Sequence, residues 1–199
     1  PEEPPFYTKS RKRTARNTLV ECHTDSLRSS AANAHLEGDE TSFDAVTATV
    51  RLNNATQIFK NAVVIADTDE GLDKAGRASE IAYTTLKIAK EQKLDIEKAL
   101  FDSNAKVNTN GSARELAGVP AWLTSNTDFR TGGTTAGVDP TGDGTDTRTD
   151  NVGDLAAFDQ TRFDSVMQSI WENGGNPDTV YLSAFQMNKA LSFTGNNNQ

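Results

Sequence analysis

Near the start of the chain, polar and apolar positions alternate in two stretches. Thr18, Val20, Cys22 and Thr24 alternate with Leu19, Glu21, His23 and Asp25; later, Val46, Ala48, Val50 and Leu52 alternate with Thr47, Thr49 and Arg51. A period of two places successive side chains on opposite faces of a strand. Between them, residues 26–44 are rich in Ala, Ser and Asn, with Gly38 inside an acidic turn of Glu37, Asp39 and Glu40. The pattern predicts a long hairpin with a broad tip. A two-stranded hairpin is marginal in water, so this arm needs a partner surface. A denser run follows (Ile58, Phe59, Ala62 to Ala66) and predicts a strand joining the arm to the body.

The period then changes. Ala78, Ala82, Leu86, Ala89, Ile96 and Leu100 recur at helical spacing, with Lys87, Lys90, Glu91, Glu97 and Lys98 opposite. With Asp73 as N-cap, the helix runs over about residues 73–102, roughly 40 Å long. Its Ala-rich stripe suits packing on a sheet, and Asp67, Asp69, Glu70 and Asp73 favour its macrodipole. A polar loop then leads to Val119–Leu123, a short packed segment anchored by Trp122. Thr127 to Gly153 is a Gly/Thr/Asp stretch expected not to pack a core. A second helix is expected over Thr161–Glu172, stopped by Gly174-Gly175-Asn176-Pro177. Thr179–Leu182 predicts a short strand and Ala184–Leu191 a third helix. The fold class is α+β.

Composition narrows the function. The chain has 199 residues, 35% hydrophobic, with a net charge of −8; its mean hydropathy is −0.59 and its pI about 4.8. Such a balance opposes chain-wide nucleic-acid affinity, which needs excess Lys and Arg, and implies that some surface is covered by another molecule. The exception is a basic cluster, Lys9, Arg11, Lys12, Arg13 and Arg16, read as an extended arm that suits acidic neighbours. Cys22 is the only cysteine, so no intrachain disulfide forms, as befits a reducing compartment. No apolar run is long enough to span a membrane. The N-terminus has neither a signal core nor an initiator Met, and processing there is the expectation.

Candidate chemistry is sparse. Both histidines, His23 and His35, lie in the arm, and Cys22 and His23 point to opposite strand faces, so they form no dyad. Asp139, Asp143, Asp146 and Asp150 form a weak calcium candidate that lacks the terminal bidentate Glu. The glycines of that loop form no phosphate cradle. Phe101, Trp122, Phe163 and Trp171 are expected in the core. No catalytic residue, metal site or cofactor is assigned, and the expected class is structural rather than enzymatic. A secreted or surface fibre or adhesin is the alternative.

Several strings resemble a family of tailed-phage major capsid (major head) proteins. They are Glu21–Leu27, Leu36-Glu37-Gly38, Arg51–Asn54, Gln57–Lys60, Lys74–Tyr83, Asp95-Ile96-Glu97, Ala117–Leu123 and Ile170–Gly175. The resemblance implies a Hong Kong 97-type capsid fold: N-terminal arm (1–17), extended loop with return strand (18–66), peripheral domain with spine helix (67–123), Gly/Thr/Asp-rich insertion (124–153) and the start of an axial domain (154–199). It further implies that the family runs on past Gln199 and that Cys22 stands where a tryptophan is usual. Expected partners are further copies of the chain, as hexamers and pentamers of an icosahedral or prolate shell; scaffolding, portal or decoration proteins; and packaged double-stranded DNA on the inner face, without sequence specificity. No membrane partner is expected, and the location is the virion capsid, assembled in host cytoplasm. Some relatives of the fold are cross-linked through Lys and Asn; here noncovalent assembly is expected. Candidate subunit-interface residues are Arg11, Lys12, Arg13, Arg16, Leu27, Arg28, Leu36, Glu37, Asp39, Glu40, Phe43 and Arg51.

Overall fold

The two alternating stretches pair. In the computed structural model, which describes residues 3–40, 43–72, 76, 78–128, 138–149 and 157–193, β1 (Leu19–Thr24) runs antiparallel to β2 (Val50–Ala55), with Leu19 opposite Ala55 and Thr24 opposite Val50. Val20, Cys22, Val50 and Leu52 share one face of the ribbon; Glu21, His23, Arg51 and Asn53 share the other. β2 starts four residues later than the alternation predicted. The chain opposite Val46–Thr49 would be Asp25–Arg28, but the Asp25 carboxylate accepts from the Ser26 N–H (2.9 Å). A local side-chain bond of this kind competes with the ladder.

Two predicted strands do not form. Residues 58–66 and Thr179–Leu182 carry strand composition, but β1–β2 is the only sheet among the described residues. A strand needs a neighbour's N–H and C=O groups. The Phe59 carbonyl instead accepts from the Gln92 amide at 3.0 Å, and Tyr181 joins an aromatic cluster.

The N-terminal segment is not wholly extended either. Pro5–Lys9 forms α1, with proline at its first position, where the missing N–H costs nothing. α1 docks on the long helix: Pro4 is fully buried, the Tyr7 N–H donates to Glu97 Oε2 at 3.0 Å, and Phe6 packs edge-on to Phe101 (4.9 Å) and Tyr181 (5.3 Å).

Asp67–Glu70 is a short α2. The long helix, α3, spans Glu80–Phe101 and is therefore about 33 Å long, shorter than predicted. Its N-cap is Ser79, whose hydroxyl accepts from the Ala82 N–H; Asp73 lies outside the described residues. Gly76, at φ +82°, holds a left-handed conformation that precludes a helix through it. Glu70 completes the start of α3 from outside. Its carboxylate accepts from Ser79 Oγ (2.6 Å) and from Glu80 N (2.9 Å) and Ile81 N (3.2 Å), the last two being backbone N–H groups that a helix N-terminus leaves unpaired. α3 packs mainly on α1, α2 and the 3₁₀ turn Val119–Trp122 rather than on a sheet.

α4 (Gln160–Glu172), capped by Asp159, and α5 (Ala184–Leu191), with a reciprocal Ser183/Gln186 capping box, fall where the periodicity put them. Phe158, Phe163 and Phe193 cluster between them. Trp171 was expected in the core but is 74% exposed, and Phe101 is only half-covered by its aromatic neighbours.

Among the described residues the buried alanines are Ala55, Ala117 and Ala121. Ala55 ends β2 next to Asn54, whose amide is bonded to Ala117, and Ala121 lies in the 3₁₀ turn. Gly118 lets the chain at the start of that turn approach the end of α3, since a Cβ there would lie 1.9 Å from the Asp102 carbonyl oxygen. Contrary to expectation, part of the Gly/Thr/Asp stretch packs too. Val138 and Thr149 form a bridge, Pro140 and Gly144 are buried, and a Cβ on Gly144 would strike the Trp122 ring at 2.7 Å. The chain still exposes 16310 Å², against roughly 9,200 Å² for a compact monomer of its mass. Replacing Glu70 by Ala should lower stability by about 1 kcal/mol, read as a lower thermal midpoint with α3 helicity lost first in hydrogen exchange.

Candidate subunit interface

The arm is fastened at its root by polar side chains that act in place of a ladder. Asn54 Oδ1 accepts from the Ala117 N–H (2.8 Å), and its Nδ2 donates to the Ala117 carbonyl (3.1 Å). One amide thus serves both backbone groups of a buried residue. Gln57 Oε1 accepts from the Leu116 N–H at 3.2 Å. The Lys106 ammonium donates to Asn53 O (3.0 Å), Asn53 Oδ1 (2.9 Å) and Asp143 O (2.8 Å), joining arm, body and Thr-rich loop. On the first strand, Thr18 O accepts from Thr56 N and Oγ1.

Beyond the root the arm leaves the body. Arg51 pairs with Glu21 at 3.7 Å across the ribbon, and His23 Nδ1 meets Thr49 Oγ1 at 3.1 Å. Both contacts lie on one face, while Cys22 sits exposed on the other. The tip turns at Gly38 (φ +89°), where Asp39 N donates to Leu36 O. Leu27 is 100% exposed and Phe43 94%, and Leu36 and Val46 are almost as bare. Four large apolar side chains thus stand in water on one arm, a candidate interaction surface.

All twelve interface candidates are exposed. They form two groups and not one: Leu27, Arg28, Leu36, Glu37, Asp39, Glu40 and Phe43 at the tip, and Arg11, Lys12, Arg13 and Arg16 after α1, with Arg51 on the ribbon between. Lys12 lies over the Tyr7 ring at 4.2 Å, a cation–π contact. Sequence reasoning missed the residues that hold the arm in place, Asn54, Gln57 and Lys106. Asn53-Asn54 and Gln57 do lie within the strings that carried the resemblance, but nothing in their spacing marks an amide as a backbone clamp.

The description "SU10 major capsid protein" matches the chain over residues 1–199. The chain belongs to that family. Over 109 residues it is also 33% identical to the protein of Escherichia phage Phieco32 named "Major capsid protein", a match covering 54% of this chain and 31% of that protein. The chain thus spans about three-tenths of the length of the relative it matches.

In this capsid-family chain the aspartate loop is turned inward on itself. Asp139 accepts from Thr127 Oγ1 (3.0 Å). Asp143 accepts from Thr145 N and Oγ1 and from Thr141 Oγ1, and Asp146 from Thr141 N and Oγ1. Asp150 lies outside the described residues. Among those described, no three His, Cys, Asp or Glu side chains are grouped to hold a metal ion; the carboxylates serve as caps for threonines.

The Thr145 hydroxyl and then its N–H hold the Asp143 pKa below the usual carboxylate value; burial opposes them, and the Thr141 hydroxyl and the Lys106 charge add smaller effects in the same lowering direction. A lowered folded value means that the unfolded chain binds the proton first. The contribution is therefore whole above about pH 4 and is lost as pH falls through the folded pKa. Below pH 4, Asp143→Asn should lose less loop protection than the parent, as followed by hydrogen exchange at Thr141 and Thr145. Asn54→Ala should cost about 1–3 kcal/mol, because both Ala117 backbone groups lose their partner; equilibrium unfolding measures it.

Proposed function

We propose that this chain supplies the shell-building part of a major capsid protein, which self-assembles into the shell enclosing packaged phage DNA. The observation that carries the reading is the arm: an ordered ribbon, clamped at its root, with apolar side chains bare at its tip and no layer of its own to cover them. Family membership supports the identity of the covering surface as further copies of the chain. Each such side chain buried by a neighbour contributes about 1.5–3 kcal/mol, so the arm gains order as the shell closes. Contacts of this kind are heterologous, arm of one copy to body of the next, and close around symmetry axes as hexamers and pentamers.

On this reading the architecture is the Hong Kong 97 type. Residues 1–17 serve as the N-terminal arm, 18–66 as the extended loop, 67–123 with α3 as the peripheral domain and its spine, 124–153 as an insertion and 154–199 as the start of the axial domain. The role is structural and not enzymatic. Assembly takes place in the host cytoplasm, with packaged DNA facing the inner surface and no base-specific contact.

Deleting Ser26–Asp44 from the full-length protein should abolish shells while leaving a soluble subunit with a helical circular-dichroism spectrum. Electron microscopy decides it: closed shells from the deletion variant would overturn the arm's role, and fibres from the parent would overturn the capsid reading.

A further inference from the structure

A cleft of about 300 Å³ lies between the arm root and the C-terminal half of α3, lined among others by Gln57, Phe59, Asp95, Lys98, Asp102 and Glu115. Its charge is not balanced. Lys98 is taken by Asp102, four residues on, at 2.8 Å, and this contact raises the Lys98 pKa, first through the hydrogen bond and then through the Asp102 charge. The Asp95 charge adds a smaller raising effect on Lys98, but among the described residues neither the Asp95 nor the Glu115 carboxylate is held by a side chain in a hydrogen bond or close ion pair, so the lining carries three carboxylates to one ammonium.

The same chain carries the complement elsewhere. Arg11, Arg13 and Arg16 are exposed, and among the described residues no carboxylate pairs with any of them. Their segment is fastened at both ends. On one side α1 is tied to Glu97; on the other Thr18 is tied to Thr56. Glu97 and Phe101, which hold α1, lie on the side of α3 away from Asp95, Ala99 and Asp102, since a helix turns 100° per residue. The segment lines no part of its own cleft.

We propose that this cleft receives the basic segment Lys9–Arg16 of a second copy of the chain, a guanidinium entering between Asp95 and Glu115 with its plane over the Phe59 ring. Arginine fits such a site because its planar fork pairs with carboxylates and stacks on an aromatic face. A related cation–π contact, with an ammonium in place of a guanidinium, already occurs in the segment at Lys12 and Tyr7. The proposal rests on the capsid reading and deepens it, since it names a second subunit contact remote from the apolar tip.

Charge reversal in the full-length protein tests it, with association followed by light scattering and sedimentation at low and high salt. One variant carries Arg11→Glu, Arg13→Glu and Arg16→Glu; the other carries Asp95→Lys and Glu115→Lys. Each alone should self-associate at least about tenfold more weakly, with the parent's salt dependence reduced. Mixed one to one, the two variants should associate again, because every arm then meets a cleft of opposite sign on another copy. Unchanged association of either variant would overturn the proposal. So would a chain carrying all five reversals that recovers association when the mixture does not, because the contact would then lie within one chain. A parent that forms oligomers but no shells would sink the capsid reading alone, whereas parent shells unaffected by charge reversal would sink this contact alone.

Discussion

Everything in this molecule follows from a shortage of private interior. Among the described residues the buried apolar side chains are three alanines and two prolines, and small side chains yield little on burial. A core of that size cannot order a ribbon that projects beyond it. The fold therefore relies on polar fastening at the few places where segments meet. Asn54 holds Ala117, Lys106 holds Asn53 and Asp143, and Glu70 holds the start of α3. These bonds orient the elements and leave their apolar faces open.

How much of this can be read from the residues depends on whether the relevant signal is local. α4 and α5 were legible almost to the residue because their periodicity is local and Gly174-Gly175-Asn176-Pro177 stops the first of them. The start of α3 was not, because its decisive group, Glu70, acts across a loop. The strand readings at 58–66 and 179–182 failed for the complementary reason. Val63, Val64 and Val180 are strand formers, but no strand exists without a second chain segment alongside. The hairpin was legible in outline; its shorter second strand was set by Asp25 turning back on its own backbone.

The exposure of the arm tip was legible in a similar way. Exposed apolar positions such as Leu27 and Phe43 stand out in a polar stretch, and their exposure agrees with the reading of the arm as lacking a layer of its own. The Thr-rich loop was harder. Low complexity signals a failure to build a core, but Gly144 needs no side chain to sit against Trp122; the absence of a Cβ is what lets the loop close in. Asp139, Asp143 and Asp146, which look like cation ligands from spacing alone, accept from neighbouring threonines.

The Asn54 clamp has one more consequence. In most hairpins a tight turn decides which residues face each other, and a slip of the strands carries side chains to the wrong face. Here 25 residues separate β1 from β2, far too many for a turn to set that alignment. The alignment is fixed at the other end, where Asn54 is tied to Ala117 and Thr18 to Thr56. The ribbon is zipped from its base, so insertions and deletions at the tip leave the pairing in place. The tip can diverge in length and composition from one capsid to another while the strands beneath it keep their frame.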